Sequence, residues 1–214
     1  SVRERMDILN KAASYIEEHH EDFARTIALE GVKTINEARG ETTRAAETLR
    51  LSAEEARRLT GESVNFDQMP GNKDRMGYYF RFPVGVVAAI TPFNDPLNLV
   101  AHKLGPAVAA GNAIIIKPAT ETPLSALKMA DAFMKAGLPK KVLTVITGRS
   151  RDIGDSLIES KDVNMISFTG GYETGEMISK KAGLKKISME LGSNSPFIVR
   201  KDADLKLAAA AAAS

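Results

Sequence analysis

The chain has 214 residues, 43% of them hydrophobic, enough to bury the core of one large domain or of one domain with an appendage. Its formal charge of +2, with acidic and basic residues interspersed, leaves no basic stripe to neutralise a phosphate backbone, so nucleic acid is not an expected partner. The absence of cysteine excludes disulfides, thiolate metal sites and a cysteine nucleophile within these residues. No apolar run reaches the roughly eighteen residues of a membrane span, and no signal peptide is visible, so the cytoplasm is the expected compartment.

From Val2 to Glu62 the pattern is helical. Met6, Leu9, Ala13 and Ile16 recur at three- and four-residue spacing, Phe23 and Ile27 follow the cap candidate Asp22, and Gly31 is placed to end the second helix. A longer amphipathic helix is expected from Glu37 to about Leu59, with Ala45, Leu49, Ala53 and Ala56 on its apolar face and Gly61 as its stop. Because the first residues already lie in a helical pattern, the chain is expected to begin partway through a larger protein. His19 and His20 beside Glu17, Glu18 and Glu21 suggest a metal cluster, but adjacent helical residues point about 100° apart, so a solvated helix end is expected and no metal site. Asp67 to Met76 reads as a polar loop or hairpin leading to an edge strand at Tyr78-Tyr79-Phe80.

The stretch from Phe82 to Pro123 organises the remainder of the chain. An apolar run, Val84 to Ile90, breaks at Thr91-Pro92-Phe93-Asn94-Asp95-Pro96, a helix runs to Ala110, Gly111-Asn112 turns, and a second apolar run ends at Lys117-Pro118. Short Val- and Ile-rich runs without alternation are the mark of parallel strands buried on both faces, and the helix between them makes a βαβ unit. Thr122-Pro123 is a helix start, with Leu124, Leu127 and Met134 as the apolar face, Gly137 as a left-handed cap and Pro139 as a block. Strands are expected at Leu143 to Thr147, Asn164 to Phe168, Lys186 to Met189 and Pro196 to Val199. Helices are expected around Ile153 to Glu159, after the glycines at 170 and 171 to about Ala182 with Gly183 as its stop, and over the alanine tail from Leu207 to Ser214. The alternation implies an α/β fold: a doubly wound, Rossmann-like parallel sheet over 63–214, preceded by an N-terminal helical part over 1–62. In such sheets ligands collect beyond the carboxyl ends of the strands, so Asn94 and Lys117 are expected at one crevice.

Each candidate has two readings. Gly170-Gly171, with Gly175, follows a strand and opens a helix, where bare N–H groups hold a phosphate or merely allow tight packing. Asn94, flanked by Pro92 and Pro96, is either an amide held toward a developing oxyanion or a turn asparagine. Lys117 either binds ribose or phosphate or is a solvated strand end. Glu190, before Gly192, is a general base if desolvated and otherwise an isolated carboxylate.

In order, PFNDP, KLGPAVAAGN, IIIKPATETP, SFTGGYETG and MELGSNSP resemble the aldehyde dehydrogenase superfamily from about Ile8 to Asp204, closest to members acting on lactaldehyde, phosphonoacetaldehyde or glyceraldehyde 3-phosphate. The resemblance implies that Asn94 stabilises the oxyanion of a thiohemiacetal, that Lys117 hydrogen-bonds the adenosine ribose of NAD or NADP, and that Glu190 activates water to hydrolyse a thioester. It assigns Phe168, Thr169, Gly170 and Gly171 to the pyrophosphate, Leu191 to the nicotinamide, and Ile90, Thr91, Pro92, Phe93, Thr120, Glu121 and Thr174 to the same cofactor. The family usually has serine where Gly171 stands, and Gly-Gly-Lys where Gly192-Ser193-Asn194 stands. Thr120 replaces the glutamate by which NAD-preferring relatives repel a 2′-phosphate, so NADP stands beside NAD, with Arg149 or Arg151 as its phosphate partner and Glu121 as the feature favouring NAD.

The family's cysteine nucleophile lies beyond Glu190, and no cysteine is present here. The expected reading is thus the cofactor-binding part of an NAD(P)-dependent aldehyde dehydrogenase, inactive alone, that forms a homodimer or homotetramer when intact and takes a small aldehyde beside Phe93 to Asn98. A short nucleotide-binding protein without dehydrogenase activity is the alternative, and an unrelated doubly wound enzyme that binds no nicotinamide cofactor is the third.

Overall fold

The computed structural model describes residues 1–213. It opens with α1 (Val2–Glu18) and α2 (His20–Glu30), and α1 buries Leu9, Ala12, Ala13 and Ile16 along one stripe. Asp22 does not cap α2, which begins at His20. Asp22 lies in the first turn and pairs with Lys128 at 2.6 Å. The next helix, α3 (Ile35–Ala56), starts before Glu37 because Thr34 and Glu37 form a reciprocal capping box, with the Glu37 carboxylate accepting the Thr34 N–H at 2.8 Å. It stops at Ala56, short of Leu59.

Two strands, β1 (Glu62–Asn65) and β2 (Met76–Tyr79), pair antiparallel in a ribbon of their own, so the polar loop between them is a hairpin connection. Five strands make the main sheet: β3 (Val86–Ile90), β4 (Ala113–Lys117), β5 (Leu143–Val145), β6 (Met165–Thr169) and β7 (Lys186–Glu190). All neighbours are parallel, in the order β5-β4-β3-β6-β7. The chain therefore winds outward from β3 to β5, then returns to place β6 on the other side of β3. That reversal makes the sheet doubly wound and puts its switch point between β3 and β6.

Side-chain alternation explains the layers. Val87 and Ala89 of β3 join one core with α1, α2, α3, α4 (Asn98–Ala109) and α5 (Leu124–Lys135), whereas Ala88 between them joins a second core with Ile166, Phe168, Ile158 of α6 (Ser150–Glu159) and Ile178 of α7 (Tyr172–Lys181). Both faces are covered, which is why β3 reads as an unbroken apolar run. α4 crosses α3 at Gly105, where a Cβ would come within 2.5 Å of Ser52 Oγ. Gly137 ends α5 in the left-handed region, φ +93, as its sequence position implies.

The start and face of α5 differ from the sequence expectation. Thr122 Oγ1 is buried without a partner among the described residues, and the cap comes instead from Glu30 of α2, whose carboxylate accepts the N–H groups of Leu124 (2.6 Å) and Ser125 (2.7 Å). Leu124 and Leu127 are exposed, and the buried face carries Ser125, Ala126, Met129, Ala132 and Phe133. Two apolar stripes run along this helix, and α1 and α2 select the one with the aromatic ring. Glu30→Ala is expected to lower stability by about 1 kcal/mol, the usual worth of an N-cap, with urea denaturation as the check. An unchanged midpoint would mean that water caps α5 equally well.

α6 begins at Ser150, before Ile153. Pro196 to Val199 is not a strand: the segment has no regular secondary structure, pairs with nothing among the described residues, and leaves Phe197 and Ile198 exposed. A strand needs a ladder partner, and this segment joins neither sheet. The alanine tail is helical as α8 (Leu205–Ala213), with Asp204 Oδ1 accepting the Lys206 and Leu207 N–H groups, while Ser214 lies outside the described residues. Among the described residues no helix is long and apolar enough to cross a membrane.

Candidate functional site

The carboxyl ends of β3, β4 and β6, flanked by α6 and α7, enclose a crevice of about 330 Å³ beside the switch point. Into its lining fall Ile90, Thr91, Pro92 and Phe93 after β3, Lys117, Thr120 and Glu121 after β4, and Phe168, Thr169, Gly170, Gly171 and Thr174 between β6 and α7. Three segments far apart in sequence thus share one wall because their strands are neighbours. Leu191 lies outside this lining and packs instead on Gly175, where a Cβ would come within 2.4 Å of its Cδ2.

Several polar groups of the crevice are under-used. Lys117 is 2% exposed, its Nζ donates to the Pro118 carbonyl at 2.9 Å, and burial pushes its ammonium below the ordinary lysine range, with Glu121 opposing the shift. Thr91 Oγ1 is buried with no partner among the described residues. At α7 the N–H of Gly170 is already taken by the Glu190 carbonyl at 3.1 Å, so it is not one of the free donors. Those of Gly171, Tyr172 and Glu173 have no partner among the described residues and sit at the positive end of the helix. Gly171 takes φ −68 and has open space around its missing Cβ, so backbone strain does not demand glycine there. A phosphate group fits this arrangement: Gly171, at the free N–H end of α7, lines one cavity with the buried ammonium of Lys117 and the Thr91 hydroxyl.

Asn94 and Glu190 stand apart from that lining. Asn94 is exposed in the turn between β3 and α4, with no side-chain hydrogen bond among the described residues. Glu190 ends β7 beside Thr169 and is exposed. Near it lies a residue that opens the KLGPAVAAGN motif but was given no role from sequence, Lys103 of α4, 8% exposed, whose Nζ donates to Ser167 Oγ at 3.0 Å. Burial pushes its ammonium down to about 8, and the negative charge of Glu190 pulls the other way. A single lysine in the otherwise apolar stretch around it was the available signal.

Thr120 donates to the Gly148 carbonyl at 3.3 Å, which draws the α6 entrance toward β4. Arg149 and Arg151 both pair with Asp152, at 2.8 and 3.6 Å, and Ser150 between them lines the crevice. His19 and His20 are spent locally: one ring nitrogen of His19 lies 2.9 Å from the Tyr15 carbonyl, and one of His20 lies 3.0 Å from the Arg39 carbonyl.

Residues 1–214 match the model of the aldehyde dehydrogenase family. The chain is 55% identical over 209 residues to 3-sulfolactaldehyde dehydrogenase of Priestia aryabhattai, covering 98% of this chain and 44% of that protein. It is 52% identical over 204 residues to aspartate-semialdehyde dehydrogenase 1 of Pseudomonas canavaninivorans, covering 95% of this chain and 43% of that one. Among solved structures, NADP-dependent glyceraldehyde-3-phosphate dehydrogenase from Bacillus halodurans C-125, complexed with NADP, superimposes with a TM-score of 0.94 at 44% identity, over 98% of this chain and 44% of its own. The chain spans less than half the length of these relatives.

Proposed function

The chain belongs to the aldehyde dehydrogenase family, and from that premise we propose that it is the cofactor-binding part of an enzyme that oxidises a small polar aldehyde to its acid with NAD or NADP. One observation carries the reading: the strand ends after β3, β4 and β6 bring three separate motifs to a single crevice, where Thr91 Oγ1 is buried with no partner among the described residues. When bound there, the nicotinamide cofactor supplies a hydride acceptor. Lys117 and Thr91 hold the adenosine ribose, and the free N–H groups of Gly171, Tyr172 and Glu173 hold the pyrophosphate. Leu191, packed on Gly175 beside β7, borders the nicotinamide.

Asn94 donates its amide N–H to the oxygen that gains charge when a thiol adds to the aldehyde, and the proline-bounded turn limits the reorganisation this requires. Glu190 takes a proton from the water that completes hydrolysis, and Lys103 keeps a positive charge near it. None of the 214 residues is cysteine, so the attacking thiol is contributed by other residues and this chain alone turns over no aldehyde. A nucleotide-binding protein without dehydrogenase activity is the second reading, and that same absence favours it.

Calorimetric titration of the chain with NAD and with NADP tests the proposal. Binding of either supports it, and a folded chain that binds neither overturns it. Thr120→Glu sets a carboxylate where the 2′-phosphate of NADP would lie, so affinity for NADP is expected to fall about tenfold relative to NAD, a difference of about 1.4 kcal/mol. An unchanged ratio would place the 2′ position elsewhere along the crevice.

A further inference from the structure

The turn that carries Asn94 is gripped from a distance. Glu41 of α3 has no exposed surface, yet both of its oxygens are engaged. Oε1 accepts the N–H groups of Leu97 (2.8 Å) and Asn98 (3.0 Å), which the first turn of α4 leaves without helical partners, and Oε2 accepts from Lys33 Nζ at 2.6 Å. Lys33 also donates to the Asp95 carboxylate, and Asp95 accepts from Arg44 Nη2 at 3.0 Å. Thr48 donates to Asn98 Oδ1 at 3.0 Å. Glu41, Arg44 and Thr48 fall three and four residues apart, so one face of α3 meets the turn. Two carboxylates and two cations balance there, which is the condition under which a buried charge persists. The residue after Asn94 is fixed by its side chain and the start of α4 by its backbone, while the Asn94 amide itself stays free.

We propose that Glu41 is a positioning residue for Asn94, with Lys33 as its partner: together they set the backbone of the 92–98 turn so that the amide is held ready for a developing oxyanion. The proposal rests on the oxyanion role proposed for Asn94. A cap that merely stabilises α4 would, when lost, release the Leu97 and Asn98 amides and leave the Asn94 side chain unmoved, whereas loss of a positioning residue disturbs that side chain as well.

Hydrogen exchange read by NMR separates the two. In Glu41→Leu, the Leu97 and Asn98 amides are expected to lose at least about tenfold of their protection relative to Ile114 and Ile116 of β4, which serve as internal standards for global stability. The Asn94 side-chain amide signals are expected to broaden or split. The double variant Lys33→Met, Glu41→Gln keeps a neutral acceptor for the two N–H groups and removes the ammonium that Glu41 no longer neutralises, so it is expected to restore most of that protection. Asn94 side-chain signals unmoved in a folded Glu41→Leu chain would overturn the proposal, as would exchange of Leu97 and Asn98 in step with β4 or a double variant no better protected. Should Glu41→Leu not fold, Glu41→Gln is compared with the double variant, and equal protection in the two is the overturning result. None of these readouts needs a bound cofactor. A chain that binds neither NAD nor NADP but shows the expected exchange would refute the enzymatic reading and leave the grip of Glu41 on the turn standing.

Discussion

Methionine in place of Lys117 is expected to weaken binding of NADP, or of NAD, by about 10- to 100-fold while moving the thermal midpoint by no more than about 3 °C. The asymmetry stems from where the ammonium sits. It is 2% exposed at the end of β4 and lines the crevice, so a ligand hydroxyl or phosphate there would accept a charge-assisted hydrogen bond worth about 1.5–3 kcal/mol. Without ligand, burial disfavours the charged form, and methionine relieves that cost. The relief is offset because the Pro118 carbonyl loses its donor. Calorimetry and a thermal melt on the same samples decide the matter. Undiminished affinity would remove Lys117 from the binding surface, and a midpoint lowered by 10 °C or more would make its role structural.

Lys103→Met is expected to stabilise the chain at pH 7 by about 1–3 kcal/mol and to lose that advantage as the pH approaches 10.5. Lys103 titrates at about 8 in the folded chain against 10.5 ordinarily, because burial outweighs the pull of Glu190. Below about pH 8 both folded and unfolded chains hold this proton, and the full cost of the buried ammonium is present. Between 8 and 10.5 the folded chain has released the proton and the unfolded chain has not. The unfolded state then binds more protons, so stability rises with pH across that window. The shift corresponds to about 3 kcal/mol, from which the lost bond to Ser167 subtracts about 1. In a chain of this length that is a rise of about 2–12 °C in melting midpoint at pH 7, shrinking to nothing near pH 10.5. A variant whose advantage is the same at both pH values would show that packing, not charge burial, sets the effect. If Lys103 also serves the reaction beside Glu190, the gain in stability comes with a loss of function, the usual exchange at such sites.

The sequence by itself determined the alternation of elements, the parallel buried strands, the left-handed ends at Gly137 and Gly183, and the motifs that the strand ends carry. These depend on rules that act within a few residues: side-chain period, proline and glycine geometry, and the apolar character of a strand covered on both faces. The place of Lys117 at the carboxyl edge of the sheet was legible, because parallel strands joined by helices end on the same side, whereas Asn94, expected in the same crevice, stands outside its lining. What only the tertiary structure decided were the contacts that cross the chain. Glu30 caps α5 across 94 residues and Glu41 caps α4 across 56, and no local pattern marks either carboxylate as a cap. Lys103 becomes a buried cation only because β6 brings Ser167 to it. The apolar stripe of α5 that turns inward was ambiguous until α1 and α2 packed on it, and Pro196 to Val199 had strand composition but no ladder to join. Local propensity fixes what each segment can become, whereas charge burial, long-range capping and the choice of face depend on which segment packs beside it.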